Sequence, residues 1–226
     1  MAYTRGNSKQ IIVGAAALFI SSAAEFDYLN TSPALPTFTA GTSYKDTLQS
    51  SSVVRNVGYT SNGLELDFQP AFNEVAVDQL LDAARLYKTG MQVRLKTSFA
   101  EATLDNLLVA IAAKYTDKTD DIKMDSPLAA NNASGTNYAN FLDLTSGSIG
   151  DCPVERGVLA VGPGTGDCQV GSSIERIYVG YRALSIDNVI VDAKRDAPSM
   201  FAVNFRLLPA ANGSYGRIVD RLVPSS

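Results

Sequence analysis

Histidine and tryptophan are both absent from this 226-residue chain. Without histidine there is no Ser-His-Asp or Cys-His nucleophilic machinery, and every His-containing metal site is excluded. The only two cysteines, Cys152 and Cys168, lie in Gly/Pro-rich sequence and are too few for a Cys₄ zinc site. They read as ordinary thiols. The alternative, a disulfide between them, would close a short loop, stabilise by ~3 kcal/mol and need an oxidising compartment or an extracellular particle. Charge is scarce as well: 19% of residues are charged, where a soluble domain averages roughly a quarter. The formal net charge of −4 argues against a domain built to grip nucleic acid, since such domains are usually basic. The longest apolar run, Ile11 to Ile20, is too short to span a bilayer, so no membrane partner is expected.

What is present is apolar content of 46%, enough for a sizeable core, with a neutral surface that suits burial against copies of the same chain. Residues 1–24 follow the plan of a secretory signal: Arg5 and Lys9, then the apolar run, then Ser21 to Ala24. The other reading is a long strand buried on both faces, with Ile11, Val13, Ala15, Ala17 and Phe19 on one side and Ile12, Gly14, Ala16, Leu18 and Ile20 on the other. Residues 25–52 show no period. Their aromatics Phe26, Tyr28, Phe38 and Tyr44 mark an extended loop that orders by docking, and they are the candidates for contact with another subunit or ring.

Residues 55–77 predict β-structure. Ser61-Asn62-Gly63 is a turn signal. Leu64, Leu66 and Phe68 alternate with Glu65, Asp67 and Gln69, which predicts an apolar face turned inward and a carboxylate-bearing face turned outward. Residues 78–90 fit either a helix ending at Gly90 or an irregular connection, and 91–99 is a strand. Ser98 and Glu101 have capping-box spacing, and Leu104, Leu107, Leu108 and Ile111 fall on one helical face. Residues 114–152 lose all periodicity and read as a surface insertion. A short strand around Val154–Val161 ends in a Gly-rich loop that lacks the Lys-Ser/Thr of a phosphate-binding loop. Three strands follow, at 176–183, 186–193 and 201–208. The count predicts a mainly β chain: one antiparallel β-sandwich or partly closed barrel over residues 1–226 with one flanking α-helix.

No catalytic constellation emerges. Glu65 and Asp67, neighbours on one strand face roughly 7 Å apart, do not face each other across a cleft as a glycosidase pair does. Asp120, Asp121 and Asp125 lack the glycine spacing of an EF-hand loop. The chain is expected to be no enzyme and to need no cofactor or metal.

Several stretches resemble the tail tube proteins of long-tailed bacteriophages. They are Val57-Gly58-Tyr59-Thr60 through Gly63-Leu64, Val75 to Gln79 with its Val77-Asp78-Gln79, and Ser98 to Leu107 with its Glu-Ala-Thr-Leu helix entry. Pro153 to Gly157, the strand pair at 176–193, Phe205 to Pro209 and Tyr215 to Ile218 are similar too. The resemblance covers most of 53–113 and 153–219. It implies a structural virion protein whose subunits form stacked, hexameric rings in the tail. The rings make a conduit for DNA ejection and are assembled in the host cytoplasm. Its partners would be copies of itself, other tail proteins at the tube ends, and double-stranded DNA in transient, non-specific passage. With about four lumen strands per subunit, ~24 strands at ~4.8 Å spacing and ~40° tilt enclose a bore near 40 Å, wide enough for duplex DNA. Glu65, Asp67 and Gln69 are the lumen-facing candidates, their carboxylates repelling the cargo. Two other readings stand beside this one: the tube of a related contractile injection machine, and a secreted ligand-binding β-sandwich cleaved near Ala24.

Overall fold

The computed structural model describes residues 12, 14–21, 26, 34–76, 82, 84–112, 150, 153–165, 172–196 and 198–224. Among these, eight strands and two short helices occur: β1 (Ala17–Ser21), α1 (Tyr44–Gln49), β2 (Val54–Asn56), β3 (Thr60–Val75), β4 (Arg85–Phe99), α2 (Leu104–Ala110), β5 (Arg156–Pro163), β6 (Ser172–Ser185), β7 (Phe201–Leu208) and β8 (Gly216–Pro224). The strands form one antiparallel sheet in the order β2-β1-β5-β6-β7-β4-β3, with β8 attached to β6 off that path. The chain is thus mainly β. The sheet is open: β2, β3 and β8 each have one edge that no described strand pairs.

β6 organises the sheet. One of its edges holds β5, from Pro163 opposite Glu175 to Arg156 opposite Ala183. Its other edge is shared, β8 pairing Ser172 to Gly180 and β7 pairing Arg182 to Ser185. Glycines mark the hand-over, Gly180 of β6 facing Gly216 of β8. A Cβ on Gly180 would lie 2.8 Å from Leu207 Cδ2, and one on the facing Gly216 would lie 1.9 Å from the Val179 carbonyl oxygen. Just beyond, β6 spends three residue steps (Gly180 to Ala183) where β5 spends two (Val158 to Arg156). One extra residue reverses which face each side chain takes. Ile177, Val179 and Tyr181 accordingly enter one apolar cluster and Ala183 the other.

The two clusters lie on opposite faces of β1. Leu18 and Ile20 join Val93, Leu95, Phe99, Val158, Phe201, Phe205 and the α2 residues Leu108 and Val109. Phe19 joins Phe26, Tyr44, Leu48, Leu159, Val161 and Ile177. For β1 and β5 to share a core with β4 and β7, which lie beyond β6, the sheet must curl over α2. Each fully buried Phe, Leu or Ile here contributes about 1.5–3 kcal/mol relative to exposure. The expectation of a strand buried on both faces holds for 17–21, while residues 14–16 lie outside the strand and Gly14 and Ala15 are exposed.

Four local expectations are corrected. Asn62 and Gly63 do adopt positive φ, but they form a bulge inside β3 rather than a hairpin turn. Four steps from Ser61 to Glu65 face two from Ser98 to Lys96, and Thr97 Oγ1 donates to the Gly63 carbonyl at 2.8 Å. Residues 85–90 are strand, not helix, because Gly90 and its neighbours pair across to Ala71 and Phe72; 77–81 and 83 lie outside the described residues. Residues 186–193 are no strand: after Ile186 donates to the Asn204 carbonyl, no described strand pairs with the segment. Finally, the α2 cap is Thr103, whose hydroxyl accepts from the Asn106 amide, not Ser98. Ser98 remains in β4, opposite Ser61 and Ala202. Glu101 instead accepts from the Tyr59 amide at 2.9 Å. The insertion 114–152, apart from Gly150, and Cys152 and Cys168 lie outside the described residues.

Candidate interaction surfaces

The β3–β4 hairpin is longer than the body that supports it. β3 has 16 residues and β4 has 15, but β7 pairs β4 only from Phe99 to Val93. Beyond Val93 the two arms run on together to Val75 opposite Arg85. Residues directly opposite each other share a face. Leu66 with Leu95 and Phe68 with Val93 therefore define the core face, and the alternation of β3 carries Pro70 and Phe72 onto it. Leu64 and Leu66 pack against the first cluster, as the sequence predicts, and Met91 joins them. Phe68, which the alternation also predicts to be inward, is half exposed, because the body has ended. Further out, Phe72 is 57% exposed and Leu86, on the same face, 61%; Val75 and Tyr87 are exposed on the other. An apolar groove of about 340 Å³ runs beneath this overhang, lined by Leu66, Phe68, Met91, Tyr178, Tyr215 and Ile218. It is pinned at one point by the Tyr215 hydroxyl donating to the Met91 carbonyl at 2.7 Å.

The opposite face of the hairpin is polar. It carries Glu65, Asp67 and Gln69 on β3, and Gln92, Arg94 and Lys96 facing them on β4. Asn204 and Arg206 continue the row on β7. The three lumen candidates are thus brought together. They do not form an acidic strip. Lys96 Nζ lies 2.7 Å from Glu65 Oε1 and 3.3 Å from Asp67 Oδ2, and Gln69 Nε2 donates to Asp67 at 2.8 Å. The hydrogen bonds that Lys96 donates to Glu65 and Asp67 hold its pKa above the ordinary lysine range. The expected carboxylate repulsion is cancelled locally by Lys96 and Arg94, which no reading of β3 by itself reveals.

The inter-subunit candidates fare differently. Phe26 and Tyr44 are buried inside their own subunit, in the second cluster, so their rings are not free to dock elsewhere. For Tyr44 the cause is a latch. Glu175 on β6 accepts from the Tyr44 amide (2.9 Å to Oε2) and from the Ser43 hydroxyl, which fastens α1 to the sheet. The Tyr44 hydroxyl donates to the Pro36 carbonyl at 2.8 Å, and burial pushes its pKa up to about 12. Phe38 lies half exposed between Tyr44, at 4.7 Å, and the Arg221 guanidinium, at 5.1 Å. Tyr28 lies outside the described residues.

Missed by sequence reasoning are the exposed Ile186, Ile190, Val191 and Met200 in the β6–β7 connection. The β-branched residues of 186–193 are the signal that reads as a strand, but no described strand pairs with them. Among the described residues no group of three or more Cys, Asp or Glu side chains is placed to hold a metal, and no helix is long and apolar enough to cross a membrane. No protein-family model matches the chain, and no curated protein matches it.

Proposed function

We propose that the chain is the structural subunit of a phage tail tube, assembling into rings that stack into a hollow conduit for DNA. One observation carries the reading: the apolar face of β3–β4 outruns its own core, leaving Phe68, Phe72 and Leu86 half exposed or more. Water penalises such a surface in a monomer. A copy of the same chain removes the penalty, and a head-to-tail repeat of that contact closes into a ring. The free edges of β2, β3 and β8 belong to the same account, and the curled sheet is read as the sandwich-like body of a tail-tube subunit. The polar face of Glu65, Asp67, Gln69, Arg94 and Lys96 lines the bore. Lys96 is already engaged by two carboxylates, so it offers phosphate little new pairing.

The tube of a related injection machine shares this assembly and differs in cargo. A secreted ligand-binding sandwich finds support in the apolar groove, but cleavage near Ala24 would remove β1 from between β2 and β5 and dismantle both cores. The deciding experiment is light scattering and negative-stain microscopy of the full-length protein over a range of concentrations. Hollow rings or tubes of one diameter are expected. A monomer at every concentration would overturn the reading.

A further inference from the structure

The polar face carries two guanidiniums that no carboxylate serves. Arg94 on β4 and Arg206 on β7 are directly opposite each other, so they share a face with their Cβ atoms about 5 Å apart. The register also sets Asp67 opposite Arg94. Asp67 Oδ2 turns instead to Lys96 Nζ at 3.3 Å and Gln69 Nε2 at 2.8 Å. Glu65 closes on the same ammonium at 2.7 Å, and Asp187 is engaged by Asn204 Nδ2. On its other side Arg206 faces Leu184 of β6. Among the described residues neither Arg94 nor Arg206 has an ion pair. Arg94 donates one long bond, from Nη2 to Gln92 Oε1 at 3.4 Å, and its Nε is buried with no acceptor among them. Two other arginines of the chain are neutralised one to one. Arg176 forks onto Asp220 with both bonds at 2.6 Å, and Arg182 onto Glu155 at 2.5 and 2.9 Å.

We propose that Arg94 and Arg206 together form a site for a phosphate-class oxyanion. Like charges directly opposite destabilise a sheet, and a guanidinium cannot shed its proton to relieve the repulsion. A counter-anion relieves it. A carboxylate has two oxygens and one charge, and a single fork fills it, as Asp220 and Glu155 are filled. A tetrahedral phosphate offers more oxygens and more charge, so it takes N–H donors from two forks at once. Lys96, held between two carboxylates, stays outside the site. Two sources share this chemistry: free inorganic phosphate and a phosphodiester of duplex DNA in the bore. Only the second rests on the tube reading.

The test is a thermal melt of the full-length protein with inorganic phosphate, against chloride at matched ionic strength. Phosphate at about 20 mM should raise the wild-type melting temperature by about 2–4 °C. Arg206→Gln should abolish that shift. Arg206 is exposed and its removal also removes a repulsion, so without phosphate the variant should melt within about 1 °C of wild type or higher. Arg217→Gln removes an exposed charge elsewhere, opposite Val179, and should leave the shift intact. No shift in wild type, or equal shifts in all three proteins, overturns the site. Fluorescence anisotropy with a short labelled DNA duplex at low salt separates the sources. Weaker binding by Arg206→Gln than by Arg217→Gln, with the salt slope reduced by about 1, supports the diester. Equal duplex binding by both variants, with the phosphate shift still lost in Arg206→Gln, supports free phosphate and overturns the DNA contact. Negative-stain microscopy of the same samples reads the tube separately: a monomer at every concentration sinks the tube, while the melts still decide the oxyanion site.

Discussion

Asn106 tests how α2 is held to the sheet. Its side chain is 1% exposed on a helix otherwise packed through leucine, valine and alanine. Nδ2 donates to the Val57 carbonyl at 2.8 Å and to the Glu101 carbonyl at 3.0 Å. Oδ1 accepts from Arg55 at 2.7 Å. One amide therefore ties the chain leaving β2, the entry to α2 and a cation together. Asn106→Ala removes all three bonds. Two neutral hydrogen bonds contribute about 1 kcal/mol each and the bond to a charged donor about 1.5–3. Arg55 keeps its bond to the Asp105 carbonyl, and water reaches the half-buried Glu101, so the net loss should be about 3 kcal/mol. For a chain of this size that lowers the melting temperature by roughly 6–12 °C. Asn106→Asp keeps the acceptor for Arg55 but sets a carboxylate against two carbonyls, and should be no more stable than Asn106→Ala. Urea unfolding at matched protein concentration measures both. A midpoint for Asn106→Ala within 0.5 kcal/mol of wild type at unchanged slope would refute the staple.

Stability should depend on Tyr44 at high pH. Its proton is held more tightly in the folded state, to about 12, than in the unfolded chain near 10. The contribution is intact below pH 10 and is lost as pH rises from 10 to 12, by about 2–3 kcal/mol. Tyr44→Phe should flatten that slope in unfolding curves, and an unflattened slope would remove Tyr44 as the cause. Gly216→Ala, which brings a Cβ to 1.9 Å from the Val179 carbonyl oxygen, should cost about 2–3 kcal/mol by overpacking and strip hydrogen-exchange protection from β8; full protection would contradict it. Glu65→Lys with Asp67→Lys frees Lys96 and adds two cations to the polar face. Tubes should still assemble but eject DNA several-fold more slowly and with steeper salt dependence, and unchanged kinetics would show that this face does not meet the cargo.

Much of the hairpin was legible in the chain. The two-residue period of 64–69 and 93–99 fixes which side chains share a face, because alternation is a local property of an extended backbone. The bulge at Asn62-Gly63 shows the limit. Both residues take the positive φ their types favour, yet whether that makes a turn or a bulge depends on the strand running opposite. The same holds for Val189, Ile190 and Val191, whose β-branched side chains describe a strand that needs an edge to pair with. The capping residue was misread for a similar reason: Ser98 and Glu101 have the right spacing, but β7 captures Ser98 for the sheet and Tyr59 captures Glu101, leaving Thr103 to start α2.

The sequence by itself determined the β-rich character, the polar and apolar faces of the hairpin and the apolar character of β1, since these follow from side-chain type and short-range period. Only the tertiary structure decided where each face ends. It shows that Phe26 and Tyr44 are consumed by their own subunit, that Lys96 and Arg94 face Glu65 and Asp67 across the hairpin, and that the core stops before Phe72. Each of these depends on residues far apart in the chain meeting across β4, β6 and β7. A period of two records which way a side chain points, not what lies there to receive it.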